Sequence, residues 1–191
     1  MILQIILLNS LIAAFIAYEV WLMLRDRQSG KGTTGNDRGT RSLNFVGIVL
    51  GLTGAGLVAL LTRIGLAGGS NSYLFWIGLG VLCIGFLLRI WAVRTLGASF
   101  RTTIETHDGQ HVITNGPYKL IRHPSYSGLL LICLGYGIAV QNWISLIIAV
   151  LLPAIALLYR IRIEEPELEA ALGQEYQDYK KTTKRLIPWI W

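Results

Sequence analysis

The stretch PSYSGLLLICLGYGIAVQNWISLIIAVLLPAIALLY, residues 124–159, decides the fold. It consists of two apolar runs, Pro124–Val140 and Trp143–Tyr159, parted only by Gln141 and Asn142. Each run falls slightly short of the about 20 residues that a helix needs to cross a hydrocarbon core of about 30 Å. So short a link leaves an antiparallel helical hairpin as the natural outcome, thin or tilted in the bilayer. Pro153 lies inside the second run, where a membrane bundle tolerates the kink it introduces.

Working outward, three further apolar segments precede the hairpin: Met1–Leu24, Phe45–Leu66 and Tyr73–Val93. The chain has 191 residues, 53% hydrophobic and only 15% charged. Soluble domains carry about a quarter charged residues, so the composition points to a bilayer protein. The expected fold class is an all-α integral membrane protein with five transmembrane helices. Met1–Leu24 lacks a basic leading region and a small-residue cleavage site, so it is expected to be a retained span. Cys83 and Cys133 both sit in apolar runs and read as small buried hydrophobes; no metal spacing is present.

Basic residues set the orientation. Arg25, Arg27, Lys31, Arg38 and Arg41 follow the first span; Arg94, Arg101, Lys119 and Arg122 lie between the third and fourth. Arg160, Arg162, Lys180, Lys181, Lys184 and Arg185 follow the fifth, whereas Ala67–Ser72 and Gln141–Asn142 carry no charge. The positive-inside rule then places the N-terminus outside and the C-terminus in the cytoplasm. Residues 1–93 hold three spans with a cytoplasmic loop at 25–44. Residues 94–191 hold a cytoplasmic loop, the hairpin at 124–159 and a C-terminal amphipathic helix. The net charge of +6 is accounted for by this membrane flank, without nucleic acid. Gln28–Thr40 reads as a loop, and Gly47 and Gly51, four apart, allow close helix packing.

Chemically versatile residues gather at the basic end. All three histidines lie within Arg94–His123. Just before the hairpin stands GPYKLIRHPSYSG, residues 116–128. Pro124 suits the first turn of a helix, which puts His123 at the helix N-terminus, where free N–H groups and the macrodipole favour an anion. Gly116-Pro117 supplies a turn, while Tyr118 and Tyr126 offer flat faces with polar tips. Beyond the fifth span, Arg160 and Glu164 are four apart and Arg162 and Glu165 three apart, spacings that bring side chains together on a helix. The hairpin brings both of its basic ends side by side, so His123 and Glu164 are expected neighbours. The dipole favours neutral His123 and the carboxylate favours its protonated form; its charge state stays open. Leu168, Leu172, Tyr176 and Tyr179 recur at helical spacing and make an amphipathic helix that lies on the membrane or folds over the hairpin mouth.

These motifs resemble the isoprenylcysteine carboxyl methyltransferases and their phospholipid N-methyltransferase relatives. The residues that carry the resemblance are Val112-Ile113, Thr114-Asn115-Gly116-Pro117-Tyr118 and Arg122-His123-Pro124-Ser125-Tyr126-Ser127-Gly128. They continue with Glu164-Glu165, Leu172-Gly173-Gln174-Glu175-Tyr176-Gln177-Asp178-Tyr179 and Arg185-Leu186-Ile187-Pro188. The match runs from about Gly97 onward; the first three spans match only as hydrophobic helices.

The resemblance implies a membrane methyltransferase that binds S-adenosylmethionine at the cytoplasmic mouth of the last two spans. By position, Gln110, His111, Val112, Ile113, Tyr118, Leu120, Ile121, Arg122, His123 and Glu164 would bind the cofactor. Many relatives have His where this chain has Gln110, and His111 stands one residue later, so both are carried as contacts. Arg160 would meet a substrate carboxylate, and Glu165 or a histidine is the candidate base if the acceptor is an amine. The expected acceptor is lipid-bearing or hydrophobic and enters from the bilayer, amid membrane lipids and with no obligate protein partner. A phospholipid amine N-methyltransferase and an NADPH-dependent membrane reductase are the alternatives, the latter because sterol reductases have a similar C-terminal tail.

Overall fold

The computed structural model describes residues 2–28, 39–62, 71–97, 100 and 111–190. Its elements are α1 (Ile2–Gln28), α2 (Thr40–Thr62), α3 (Ser72–Leu96), a 3-10 turn (Gly116–Lys119), α4 (Pro124–Val140), α5 (Trp143–Leu172) and α6 (Gln174–Thr182). Among the described residues there is no strand, only an isolated parallel bridge between Ile121 and Lys184. The loop expected around Gln28–Thr40 lies mostly outside them, as does Gln110.

Four helices, α1, α2, α3 and α5, are long and apolar enough to cross a membrane. The fourth expected span, α4, has 17 residues and is shorter. Helix boundaries follow local chemistry. The Asn71 side chain accepts from the Tyr73 amide to cap α3, and the Asn142 side chain accepts from the Ser145 amide to cap α5. Pro124 opens α4 with His123 at the N-cap, as expected. Gln141 takes a left-handed conformation, φ 59°, to close the hairpin.

Helix α5 differs from the bounds expected of a fifth span. Rather than stopping near Tyr159, α5 runs on for 30 residues to Leu172, with Pro153 and Pro166 both inside it. At 1.5 Å per residue that is about 45 Å, well over the hydrocarbon thickness, so its last turns stand clear of the apolar layer. The helix breaks at Gly173, φ 57°, so Leu168 and Leu172 belong to α5 and only Tyr176 and Tyr179 to α6.

The helices pair antiparallel as α2 with α5 and α3 with α4, and small residues make both seams. A Cβ on Gly47 would lie 3.1 Å from Ala156 Cβ, and one on Gly51 3.0 Å from Pro153 Cδ, which is the close packing expected of these glycines. The α3–α4 seam is tighter still. Gly78 faces Gly135 and Gly85 faces Gly128, and an added Cβ at any of them would meet backbone within 3 Å. Phe15, Leu52, Leu82, Leu129, Ile132 and Leu157 fill the interior between helices α1 to α5. At one end Gln141 bonds both backbone groups of Asn71, and Asn142 donates to Thr62. The opposite end carries the polar site.

Candidate functional site

The N-terminus of α4 is held by a late segment of the chain. The Arg122 amide donates to the Lys184 carbonyl (2.7 Å), the His123 amide to the Arg185 carbonyl (3.0 Å) and the Ser127 hydroxyl to the Leu186 carbonyl (2.6 Å). The Tyr126 and Ser127 amides turn back to the His123 carbonyl. The orphan donors that any helix start presents are thus largely satisfied from within the protein.

Two polar clusters flank this turn. In the first, the buried Glu165 carboxylate lies between two guanidiniums: Arg122 Nε donates to Oε1 at 2.9 Å, and Arg185 reaches Oε2 through Nε at 3.0 Å and Nη2 at 2.8 Å. Arg122 also donates to the Thr183 carbonyl at 2.5 Å. His123 Nε2 stands 3.5 Å from Glu165 Oε1, too far for a good hydrogen bond, and has no other hydrogen-bond partner among the described residues. In the second cluster, the Tyr126 hydroxyl donates to Glu164 Oε2 at 2.5 Å and accepts from Arg160 Nε at 2.7 Å. Arg160 Nε is also 3.8 Å from Glu164, and Nη1 reaches the Thr40 hydroxyl at 3.2 Å. The His123 and Tyr126 rings stack at 5.3 Å and 5°, joining one cluster to the other.

Helix α6 folds over this end, one of its two expected placements. Tyr176 and Tyr179 are buried, and the Tyr179 hydroxyl donates to the Tyr118 carbonyl at 2.6 Å. Burial pushes the Tyr179 hydroxyl up to about 12 and raises those of Tyr118 and Tyr176 further, so all three stay protonated and neutral at physiological pH. The Tyr176 hydroxyl is buried without a hydrogen-bond partner among the described residues. Replacing Tyr179 by Phe removes a buried bond and leaves the Tyr118 carbonyl unpaired. It should lower stability by about 1–2 kcal/mol in a thermal melt of the detergent-solubilised protein.

The structure brings Arg122, His123, Arg160, Glu164 and Glu165 together, with Tyr118 buried beside them. Two expected pairings change. His123 approaches Glu165, not Glu164, and Glu165 pairs with Arg122 and Arg185, leaving Arg162 exposed. One residue along a helix rotates a side chain by about 100°, so the adjacent carboxylates point to different clusters. Ile121 is buried at the bridge to Lys184, and Leu120 is half exposed. Val112 and Ile113 are partly buried; the Val112 amide donates to Glu175 at 3.1 Å. The exposed His111 lies 3.5 Å from the same carboxylate.

Sequence reasoning left out Glu175, Arg185, Thr40 and Tyr126 as site residues. It also passed over Glu19 and Arg89, although a charge inside each of two apolar spans is itself a signal. Arg89 is buried and makes a two-pronged pair with Glu19, at 2.9 and 2.8 Å.

Comparison with known proteins agrees with this architecture. The isoprenylcysteine carboxyl methyltransferase (ICMT) family profile matches residues 76–170. A probable protein-S-isoprenylcysteine O-methyltransferase of Oryza sativa subsp. indica is 35% identical over 120 residues, which is 62% of this chain and 63% of that one. Protein-S-isoprenylcysteine O-methyltransferase A of Arabidopsis thaliana is 30% identical over 139 residues, 70% of each chain. A solved structure of the eukaryotic intramembrane Ras methyltransferase ICMT superposes with a TM-score of 0.66 at 27% identity, covering 74% of this chain and 52% of that one. The chain thus spans less than two thirds of the length of the rice relative and about half of the solved one. With the profile match centred on the α3–α4–α5 unit that builds the polar site, this multi-pass membrane protein belongs to the isoprenylcysteine carboxyl methyltransferase family.

Proposed function

We propose that this chain transfers a methyl group from S-adenosylmethionine to the carboxylate of a lipid-bearing acceptor of the prenylcysteine class. The names of its relatives support the reaction and the acceptor class. The observation that favours a carboxylate acceptor is the state of Glu165, whose charge is matched by Arg122 and Arg185. A carboxylate so clamped is a poor base for an amine, which must lose a proton before attack, whereas a carboxylate acceptor is already ionised at neutral pH. We therefore assign Glu165 a positioning role, and the phospholipid amine reading loses one of its two candidate bases, leaving a histidine.

The residues present fit the cofactor. His123 Nε2 and the Tyr176 hydroxyl are buried polar atoms without hydrogen-bond partners among the described residues, a pattern that suits a ligand contact. Glu164, partly exposed beside the cup, offers a carboxylate to an ammonium. When bound, the cofactor supplies an electrophilic methyl on a sulfonium. Tyr118, Arg122 and His123 would line its pocket with His111, Val112, Ile113, Leu120, Ile121 and Gln110 alongside. Arg160, buried where α2, α4 and α5 converge, would orient the acceptor carboxylate. Methyl transfer gains mainly from holding donor and acceptor in line while excluding water, and the α6 cover supports that role. The connections 63–71 and 141–142 contain one charged residue, Arg63, against the many basic residues flanking the site. That asymmetry supports a cytoplasmic site, with the acceptor's lipid reaching it from the bilayer and α4 serving as a fifth, thin span.

Calorimetric titration of the detergent-purified protein with S-adenosylhomocysteine, and separately with NADPH, tests the cofactor. Binding of the first alone is expected, weakened about tenfold or more by Glu164→Gln through loss of a charge-assisted contact. Binding of NADPH alone would move the protein to the reductases. Transfer of labelled methyl from the donor to an N-acetylated S-prenylcysteine, with an aminophospholipid as the competing acceptor, tests the acceptor class.

A further inference from the structure

Arg89 sits 4% exposed in the middle of an apolar helix, and each part of its guanidinium is engaged. Nε and Nη2 pair with the two Glu19 oxygens of α1. Nη1 donates to the Ser125 hydroxyl in the first turn of α4. The Phe100 ring lies 5.5 Å from the guanidinium carbon. The origin of this side chain is also fixed, because a Cβ on Gly128 would come within 2.9 Å of the Arg89 amide nitrogen. Ser125 is two residues from His123 and adjacent to Tyr126, the stacked rings that join the two clusters of the site.

A buried ion pair is weak as a device for stability, since apolar residues of similar volume often do as well or better. In hydrocarbon the cost of keeping both charges is higher still. Charge neutrality would need only the Glu19 contacts; the Nη1 contact with Ser125 adds a link from α3, and through Glu19 from α1, to the start of α4. We propose that Arg89 and Ser125, held by Glu19, are positioning residues that fix the first turn of α4 and so the His123–Tyr126 stack. Loosening this brace lets that turn rotate or fray, and the two ring faces lose their register. Its consequence for cofactor affinity rests on the methyltransferase reading; its effect on the helix turn does not.

Hydrogen exchange on the full chain in nanodiscs, paired with S-adenosylhomocysteine titration, separates the two. Glu19→Gln keeps the shape but removes the charge that orients Arg89, and Ser125→Ala removes only the last link. Both should speed amide exchange in residues 122–128 about tenfold, the size expected for losing one charge-assisted hydrogen bond. Residues 139–145, at the far end of the hairpin, should exchange as before, and affinity for S-adenosylhomocysteine should fall by a similar factor. A uniform rise at both ends would mean a purely structural pair and overturn the proposal. So would unchanged exchange at 122–128 in either folded variant. If the unmutated protein binds no S-adenosylhomocysteine, the functional reading fails while the exchange pattern still decides the brace. Should Glu19→Gln not fold, Ser125→Ala alone gives the decision.

Discussion

Replacing Glu165 by Ala should destabilise the folded protein by about 3–5 kcal/mol, the range for breaking a buried pair by deleting one partner. The carboxylate is 5% exposed and Arg122 8%, so removing Glu165 strands a guanidinium that water cannot easily reach. Arg185, 40% exposed, can turn to solvent and contributes less to the cost. Glu165→Gln should cost less, since its amide oxygen still accepts from one guanidinium. The exposed pair of Lys180 and Glu169 serves as the internal reference: both are about a third exposed, and Glu169→Gln should change stability far less than Glu165→Ala. Denaturant titration of the three variants in one detergent checks the ranking. Equal effects of Glu165→Ala and Glu169→Gln would show that the Glu165 cluster is solvated.

Gly135→Ala is expected to be nearly as damaging, at about 2–3 kcal/mol, for a reason unrelated to charge. Its added Cβ would lie 2.3 Å from the Leu82 amide nitrogen and 2.6 Å from the Gly78 carbonyl oxygen. Both are backbone atoms, so no side chain can rotate away and α3 must separate from α4. Membrane helices rely on such close approach because apolar burial among lipid tails gives little drive to associate. Gly80, on the partner helix α3, faces open space, and Gly80→Ala should stabilise by up to about 1 kcal/mol through helix propensity alone. Opposite signs for two Gly→Ala changes, read by thermal melting, would locate the seam without further structural work.

The helical architecture was largely legible because apolar length and basic flanks respond to bulk properties of the bilayer. The α4 start at His123-Pro124 was legible too, since proline chemistry acts locally. Helix length past Tyr159 was not, because α5 continues on propensity and ion pairs after hydropathy has ended. Nor could hydropathy tell which span α4 packs against most closely: the glycines at 78, 85, 128 and 135 look unexceptional until two backbones are brought together. Within the site, the types and neighbourhood of the charged residues were readable. The separate duties of Glu164 and Glu165 depend on helix rotation, and the partner Arg185 comes from a segment that periodicity does not place. Glu19 and Arg89 are each a single charge in an apolar run, and only the fold makes them a pair.

The clasp on the start of α4 also sets an order of assembly. Carbonyls of Lys184, Arg185 and Leu186 receive hydrogen bonds from Arg122, His123 and Ser127, and Arg185 completes the Glu165 cluster. Those acceptors lie beyond α5 and α6 in the chain, so they are made after all the helices on which they close. Until residues 184–186 emerge, the Arg122 and His123 amides lack the partners this clasp gives them, and the polar end is the last part to close. A chain halted before Lys184 would carry every helix yet leave the start of α4 unclasped.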